Sequence, residues 1–197
     1  MTEEREQPAG LSYSYRPSMM SAPREFRLEE ETLVWSIGRH SGRMPYDRIT
    51  RLRMSFRPVT MQMQRFVTEI WSPGTPRLLI ASTSWKNMVE QQRHDREYSA
   101  FIAELHRRMA AAKSAARFDA GTPVYIFWPG AIVFGLVSLG IAALIVRALH
   151  AGIYSAAAFV AVFFALFLWQ AGAFFKNNRP GRYSADAPPA HLLPAGD

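Results

Sequence analysis

The stretch that decides the fold is VYIFWPGAIVFGLVSLGIAALIV, residues 124–146, which runs for 23 residues without a charged side chain. A second uncharged stretch of 25 residues, AGIYSAAAFVAVFFALFLWQAGAFF, occupies 151–175 after only four intervening residues, 147–150. At a rise of ~1.5 Å per residue, either stretch is long enough as a helix to cross a hydrocarbon core of ~30 Å. The short connection requires the helices to run antiparallel. We therefore expect a hairpin of two transmembrane helices, at 124–146 and 151–175.

The flanking charges predict the orientation of this hairpin. The connecting loop, 147–150, carries one arginine, Arg147, whereas many basic residues lie just outside the two stretches. Because basic residues concentrate on the cytoplasmic side, both termini are expected in the cytoplasm and the loop in the periplasm. The flanking basic residues are Arg107, Arg108, Lys113, Arg117, Lys176, Arg179 and Arg182.

Small residues recur within both stretches. They predict close packing of the two helices against each other, and a contact seam with another subunit is the alternative. No acidic or basic residue lies in the middle of either stretch, which argues against a transporter or proton pathway. The small residues are Gly130, Gly135 and Gly140 in the first stretch and Ala157, Ala161 and Ala165 in the second.

The rest of the 197-residue chain is polar and carries much of its net charge of +7. The change in composition near residue 121 separates one small domain from the hairpin. We expect a disordered segment at 1–22, a cytoplasmic domain at 23–117, a linker at 118–123 and an irregular tail at 176–197. Tyr183, Leu192 and Leu193 are apolar points in this tail that could dock on the domain, on a partner or on the membrane surface.

The domain begins with a series of predicted strands. Alternating apolar residues place Leu33, Trp35 and Ile37 on one strand face, and Leu52, Met54 and Phe56 on another. A shift in this alternation near residue 50 predicts a bulge. The predicted strands are 25–28, 32–37, 46–56, 60–71 and 77–84, with a glycine-bounded loop at 38–42.

An amphipathic helix follows the strands. Its apolar residues recur at helical spacing and form one stripe that should cover the sheet and bury Phe101 together with Trp35. Asp95 could cap this helix, which we expect to continue through residue 116 toward the membrane. The stripe consists of Tyr98, Phe101, Ile102, Leu105 and Met109.

Three segments together resemble a known family: LVWSIG at 33–38, PYDRI at 45–49 and YSAFIAELH at 98–106. In this order they are similar to bacterial pleckstrin-homology-like (PH-like) domains attached to transmembrane helices. The resemblance implies an α+β fold, with an antiparallel PH-like β-barrel or sheet closed by its C-terminal amphipathic helix, and no enzymatic activity. Eukaryotic relatives that bind inositol lipids carry a basic motif where this chain has Glu29, Glu30 and Glu31, so phosphoinositide binding is not expected.

No catalytic, cofactor-binding or metal-binding residues are expected, since the five histidines lack ligand spacing and the chain has no cysteine. The basic face formed by Arg51, Arg53, Arg57 and Arg65 lacks interleaved aromatics, so no nucleic-acid partner is expected. The expected partners are anionic lipids of the inner leaflet and a protein or a second copy of the chain. The candidate lipid-surface residues are Arg39, His40, Arg43, Arg107, Arg108, Lys113, Arg117, Lys176, Arg179 and Arg182.

Two functions fit these observations. The first is a non-enzymatic protein of the bacterial inner membrane that presents a PH-like binding module to a protein, a peptide or the lipid surface. The alternative is an accessory or assembly subunit whose spans contact a larger membrane enzyme or transporter.

Overall fold

The computed structural model describes residues 10–57, 65–86 and 91–194, and the chain is α+β over these residues. The helices are α1 (Asp95–Ala111), α2 (Val124–His150) and α3 (Tyr154–Asn177), with 3-10 turns at Tyr46–Arg48 and Ala190–Leu192. The described strands are β1 (Ser12–Tyr15), β2 (Arg24–Leu28), β3 (Thr32–Ile37), β4 (His40–Pro45), β5 (Arg51–Phe56), β6 (Phe66–Trp71), β7 (Leu78–Ala81), β8 (Thr83–Trp85), β9 (Gln91–Arg93), β10 (Arg117–Ala120) and β11 (Gly181–Arg182).

These strands form three open sheets. One has the order β1-β2-β3-β4, a second has the order β11-β10-β5-β6-β7, and β8 pairs with β9. The Trp85 N–H donates to the Arg16 carbonyl at 3.0 Å, which joins β8 to the end of β1. In the part of the chain that the structure describes, the strands do not close into a barrel.

The strand pattern is confirmed in its central part. Leu33 and Trp35 are buried on β3, and Leu52, Met54 and Phe56 are buried on β5. The predicted loop at 38–42 is shorter than expected, because β4 already begins at residue 40. The 3-10 turn at Tyr46–Arg48 takes the place of the predicted bulge and lets Ile49 reach the core although it breaks the alternation. Residues 60–64 of the predicted fourth strand lie outside the described residues.

Helix α1 packs against both large sheets. Its whole apolar stripe is buried, as predicted. The Tyr98 hydroxyl is hydrogen-bonded to the Thr68 hydroxyl of β6 at 2.7 Å, and the Phe101 ring lies 5.7 Å from the ring of Tyr13 on β1. The helix therefore fills the space between the sheets and forms the centre of the core.

Both predicted ends of α1 were wrong. Asp95 does not cap the helix, because its carboxylate accepts a hydrogen bond from the Arg93 side chain at 2.6 Å, and His94 is the N-cap residue. The helix stops at Ala111 instead of continuing to 116. Lys113 takes a left-handed conformation with φ of 50°, and the Ser114 N–H donates to the Met109 carbonyl. This turn sends the chain back to the sheet instead of toward the membrane.

Three segments predicted to be irregular contain strands. β1 lies within the segment 1–22 expected to be disordered, of which residues 1–9 lie outside the described range. β10 occupies the first half of the predicted linker, 118–123, and β11 lies in the tail. β10 is also parallel to β5, so the sheet is mixed where only antiparallel strands were expected. A parallel pair needs a long crossover, which the chain supplies between β5 and β10 by way of α1.

The hairpin consists of α2 and α3. Both helices are long and apolar enough to cross a membrane, and none of the residues in the most apolar window of either helix is buried. The first helix includes 147–150, so the connection lies at 151–153 and turns at Gly152 with φ of 73°. Aromatic rings supply much of the contact between the helices, with Phe134 and Phe167 at a ring separation of 5.3 Å.

The predicted packing of small residues is confirmed only in part. Ala157 is buried, and a methyl group on Gly130 would lie 3.8 Å from Phe175. A methyl group on Gly135 or Gly140 would have no described atom within 4 Å, and Ala165 is exposed.

Candidate functional site

The two ends of the hairpin meet at the C-terminal end of β5. The Gly121 N–H donates to the Met54 carbonyl at 2.8 Å, and the Thr122 N–H donates to the Asn178 carbonyl at 3.0 Å. Gly121 has φ of 73°, and a Cβ there would lie 2.5 Å from the carbonyl oxygens of Asn178 and Arg179. Only glycine accepts both this dihedral angle and this close approach. The chain therefore enters α2 at the point where it leaves α3.

Asn178 completes this junction from the other side. Its side chain is fully buried, and its Oδ1 accepts the Phe56 N–H at 3.1 Å. Its Nδ2 donates to the carbonyl of Phe174, in the last turn of α3, at 3.2 Å. One side chain thus links the end of α3 to the last residue of β5.

A pocket of about 390 Å³ lies beside the junction. This volume is within the range of ~300–1,000 Å³ typical of small-ligand sites. β5 and β10 form its floor, the first turn of α2 forms one wall, and the segment after α3 forms another. We call it the junction pocket; its lining residues are Arg51, Arg53, Arg117, Asp119, Ala120, Thr122, Pro123, Val124, Tyr125, Pro180, Gly181 and Arg182.

Asp119 is the acidic residue on the wall of the junction pocket. Its carboxylate accepts hydrogen bonds from the Nε of Arg51 at 2.6 Å and from the Nε of Arg117 at 2.8 Å. Burial raises the pKa of Asp119, but these two hydrogen bonds outweigh it and hold the pKa below its ordinary value. Asp119 is therefore a carboxylate at neutral pH and orients the arginines around it.

Arg53 is the most enclosed cation of the pocket, with 11% of its side chain exposed. Its nearest carboxylate oxygen, on Asp119, is 3.9 Å away. Its guanidinium lies 5.6 Å from the centre of the Trp71 ring, and that of Arg51 lies 5.2 Å from the same ring. Burial lowers the pKa of Arg53 below its ordinary value of 12.5. Because guanidinium groups do not deprotonate in proteins, Arg53 is nevertheless a cation at neutral pH.

The predicted lipid-surface residues do not form one cluster. Arg117 and Arg182 line the junction pocket, and Lys176 and Arg179 lie exposed at the end of α3. The exposed Arg39, His40 and Arg43 belong to the β3–β4 hairpin, and Arg107, Arg108 and Lys113 lie at the end of α1.

A second concave surface lies at the end of α1. This groove has a volume of about 1,320 Å³, with acidic residues from the β2–β3 turn facing basic residues from α1. Arg107 and Arg108 both donate to the Glu104 carboxylate, and these bonds hold the pKa of Glu104 at about 2 against a smaller effect of burial. The charged residues of this mixed-charge groove are Glu29, Glu30, Glu31, Asp47, Arg43, Arg107 and Arg108.

The tail packs on the domain, which was one of the alternatives for its apolar residues. Leu192 is fully buried, and the Tyr183 ring lies 5.5 Å from the ring of Phe118. The Tyr183 hydroxyl is 3.0 Å from Nε2 of His106, whose Nδ1 is 2.7 Å from the Ile102 carbonyl. Since a carbonyl only accepts, Nδ1 carries the proton and Nε2 accepts from Tyr183.

Sequence reasoning missed Arg51, Arg53, Trp71 and Asp119 as members of one site. The alternation of Arg51 and Arg53 marked an outward strand face, which was considered only for nucleic acid. Their neighbour Asp119 lies 68 residues from Arg51 in the chain, and a single sequence contains no signal for that parallel pairing.

Across residues 10–57, 65–86 and 91–194, no group of three or more His, Asp or Glu side chains could hold a metal ion. Comparison with known proteins found no matching family model, no similar curated protein and no similar solved structure.

Proposed function

We propose that this chain is a non-enzymatic integral membrane protein that holds a PH-like binding domain in a fixed orientation at the cytoplasmic face of the inner membrane. The observation that carries this proposal is the junction. Gly121 and Asn178, at the two ends of the hairpin, bond to Met54 and Phe56 of the same strand. A flexible tether would leave the domain free to rotate, whereas these bonds couple it to the helices.

Exposed apolar surface supports the membrane placement. Most of the large hydrophobic side chains that are exposed in the described residues lie on α2 and α3. Leu139, for example, is 70% exposed and Trp169 is 72% exposed. Soluble monomers rarely expose apolar patches beyond several hundred Å², so the hairpin needs lipid or protein around it.

The order of elements supports the PH-like assignment. Antiparallel strands are followed by one amphipathic helix, α1, which packs between the two sheets. The mixed-charge groove at the end of α1 is the surface that we assign to a protein or peptide partner. It offers both signs of charge, which favours an extended peptide with alternating charges.

The proposal predicts that a change at the junction releases the domain from the helices. In the full chain reconstituted in nanodiscs, Gly121→Ala should speed amide hydrogen exchange at residues 53–56 and 118–121 by tenfold or more. The reason is that an exchange rate rises tenfold for each ~1.4 kcal/mol of stability lost from the protecting contacts.

Gly152→Ala is the matched control. Gly152 has the same φ of 73°, but a Cβ there meets nothing within 4 Å. Equal exchange in both variants would show that the junction does not hold the domain, and failure of the wild-type chain to enter nanodiscs would refute the membrane placement.

The alternative function, an accessory subunit of a larger membrane complex, has one observation in its favour. Gly135 and Gly140 leave open positions on α2 where another helix could approach closely. Co-purification in mild detergent distinguishes the two functions. If the hairpin alone, residues 121–180, still forms the complex, the chain is an accessory subunit. If Arg107→Glu abolishes the complex and the control Arg179→Glu beside the hairpin keeps it, the domain acts as a binding module.

A further inference from the structure

We propose that the junction pocket binds the phosphate of an anionic glycerophospholipid. This inference rests on the proposed membrane placement and adds to it a specific ligand class at a defined site. The recognising chemistry is an arginine cluster that accepts one phosphate oxyanion.

The charges in the pocket do not balance. Three guanidinium groups, those of Arg51, Arg53 and Arg117, lie within 4 Å of the single carboxylate of Asp119. Arg182 adds a fourth cation to the lining. Within the lining, four positive charges against one negative charge leave an excess of three. Glu69, the cross-strand neighbour of Arg53, is already paired with Arg57 and Arg77. Since unpaired charge is costly in a partly enclosed site, the pocket is suited to a further anion.

The geometry of the arginines leaves donors for that anion. Arg51 and Arg117 each use Nε to bond Asp119. Among the described residues, neither side chain makes a hydrogen bond through its terminal nitrogens. Planar guanidinium groups bind carboxylate and phosphate through paired N–H groups, so these free nitrogens can contact phosphate oxygens while Asp119 fixes their orientation.

The position of the pocket favours a lipid over a soluble phosphate. Val124 and Tyr125, in the first turn of α2, form one wall and are 59% and 77% exposed. The N-terminus of α2 adds partial positive charge at the same place. A ligand held here by its phosphate meets an apolar helix surface directly beside it. A glycerophospholipid matches both parts, since its acyl chains can follow α2 while its headgroup stays with the arginines.

The test titrates the full-length protein in detergent with short-chain phosphatidylglycerol and counts bound lipid by native mass spectrometry. We expect one phosphatidylglycerol to bind with defined affinity. Arg182→Gln and Arg53→Gln should each weaken it about tenfold, because each removes a charge-assisted hydrogen bond. The matched control, Arg96→Gln, removes the same charge from the exposed first turn of α1, outside the lining of the junction pocket, and should bind like the wild type. Arg182 is exposed on a two-residue strand, so its variant tests the site even where Arg53→Gln does not fold.

The outcomes separate the possible sources of phosphate. Binding that inorganic phosphate does not displace supports the lipid, and displacement by inorganic phosphate shows that the pocket takes a soluble anion, which overturns the lipid assignment. Equal weakening by Arg96→Gln would reduce the effect to net charge and also overturn the proposal. If the chain enters nanodiscs but pocket variants bind lipid like the wild type, this inference fails while the proposed function stands.

Discussion

His106 shows how one buried side chain links the tail to the core. This residue of α1 is almost fully buried against Tyr183 of the tail, and burial lowers its pKa below the ordinary value of 6.5. In the folded chain Nε2 must stay unprotonated to accept from the Tyr183 hydroxyl. The unfolded chain binds a proton more readily than the folded one between pH 6.5 and the lowered pKa. Stability from this group is therefore complete above pH 6.5 and is lost as the pH falls through that interval.

We predict that His106→Gln removes a pH dependence of stability that the wild type shows on the acid side of pH 6.5. The measurement is the denaturant unfolding of the domain formed by the chain outside α2 and α3, followed by tryptophan fluorescence at a series of pH values. Glu104 and Asp119 do not interfere, because their lowered pKa values make their stabilisation complete above the ordinary values of 4.5 and 3.8, and it is lost only below them. An unchanged pH dependence in the variant would exclude His106 as its source.

Phe101 lies at the centre of the aromatic core, where its ring contacts Tyr13 and Phe26. Phe101→Ala leaves a cavity between α1 and the first sheet, and Trp35→Ala removes a second buried ring. We predict that each change lowers the free energy of unfolding by ~3–5 kcal/mol, a large share of the ~5–15 kcal/mol of a typical domain. Trp169→Ala, on the exposed face of α3, should leave domain unfolding unchanged. Losses below ~1 kcal/mol at both core positions would mean that α1 does not cover these sheets.

At the scale of elements, the sequence predicts the longer and more periodic segments. The alternation in β5, the apolar stripe of α1 and the two uncharged helices all lie where their patterns placed them. The short strands β1, β10 and β11 could not be predicted, because two to four residues contain no measurable period. Their structure depends on partners far away in the chain, as in the pairing of Phe118 with Leu52. The pocket depends on the same pairing, so it was missed for the same reason.

This dependence predicts which shortened chains will fold. A chain truncated after Ala110 keeps the apolar stripe of α1, but it lacks β10, β11 and the buried Leu192. We predict that this fragment aggregates, because β5 loses its neighbour.

A chain in which a short Gly-Ser linker joins Thr122 to Asn178 should instead be soluble and folded, because these residues are already hydrogen-bonded to each other. Size-exclusion chromatography and circular dichroism compare the two designs. A monomeric, folded fragment 1–110 would show that β10 and the tail are dispensable.

For the whole molecule, the junction places residues 122 and 178 on the same side of the hairpin. Seven basic residues flank the helices on that side, from Arg107 to Arg182, whereas Arg147 lies near the opposite end. We predict that reporter fusions at Met1 and at Asp197 both give cytoplasmic signals. A periplasmic signal from either fusion would show that flanking charge does not set the orientation. Reversing the seven charges is the matched test, since it should invert the hairpin.

The bond between Phe56 and Asn178 also has a consequence for biosynthesis. These residues are 122 positions apart, and at ~5–20 residues per second the ribosome needs roughly 6–25 s to translate that distance. For about the first half of this interval β5 lacks its neighbour β10, and for all of it β5 lacks the capping Asn178. Both apolar helices also emerge before Asn178 does. In the proposed membrane placement, the translocon would receive the hairpin while the domain is unfinished, and the domain would close only once Asn178 has emerged.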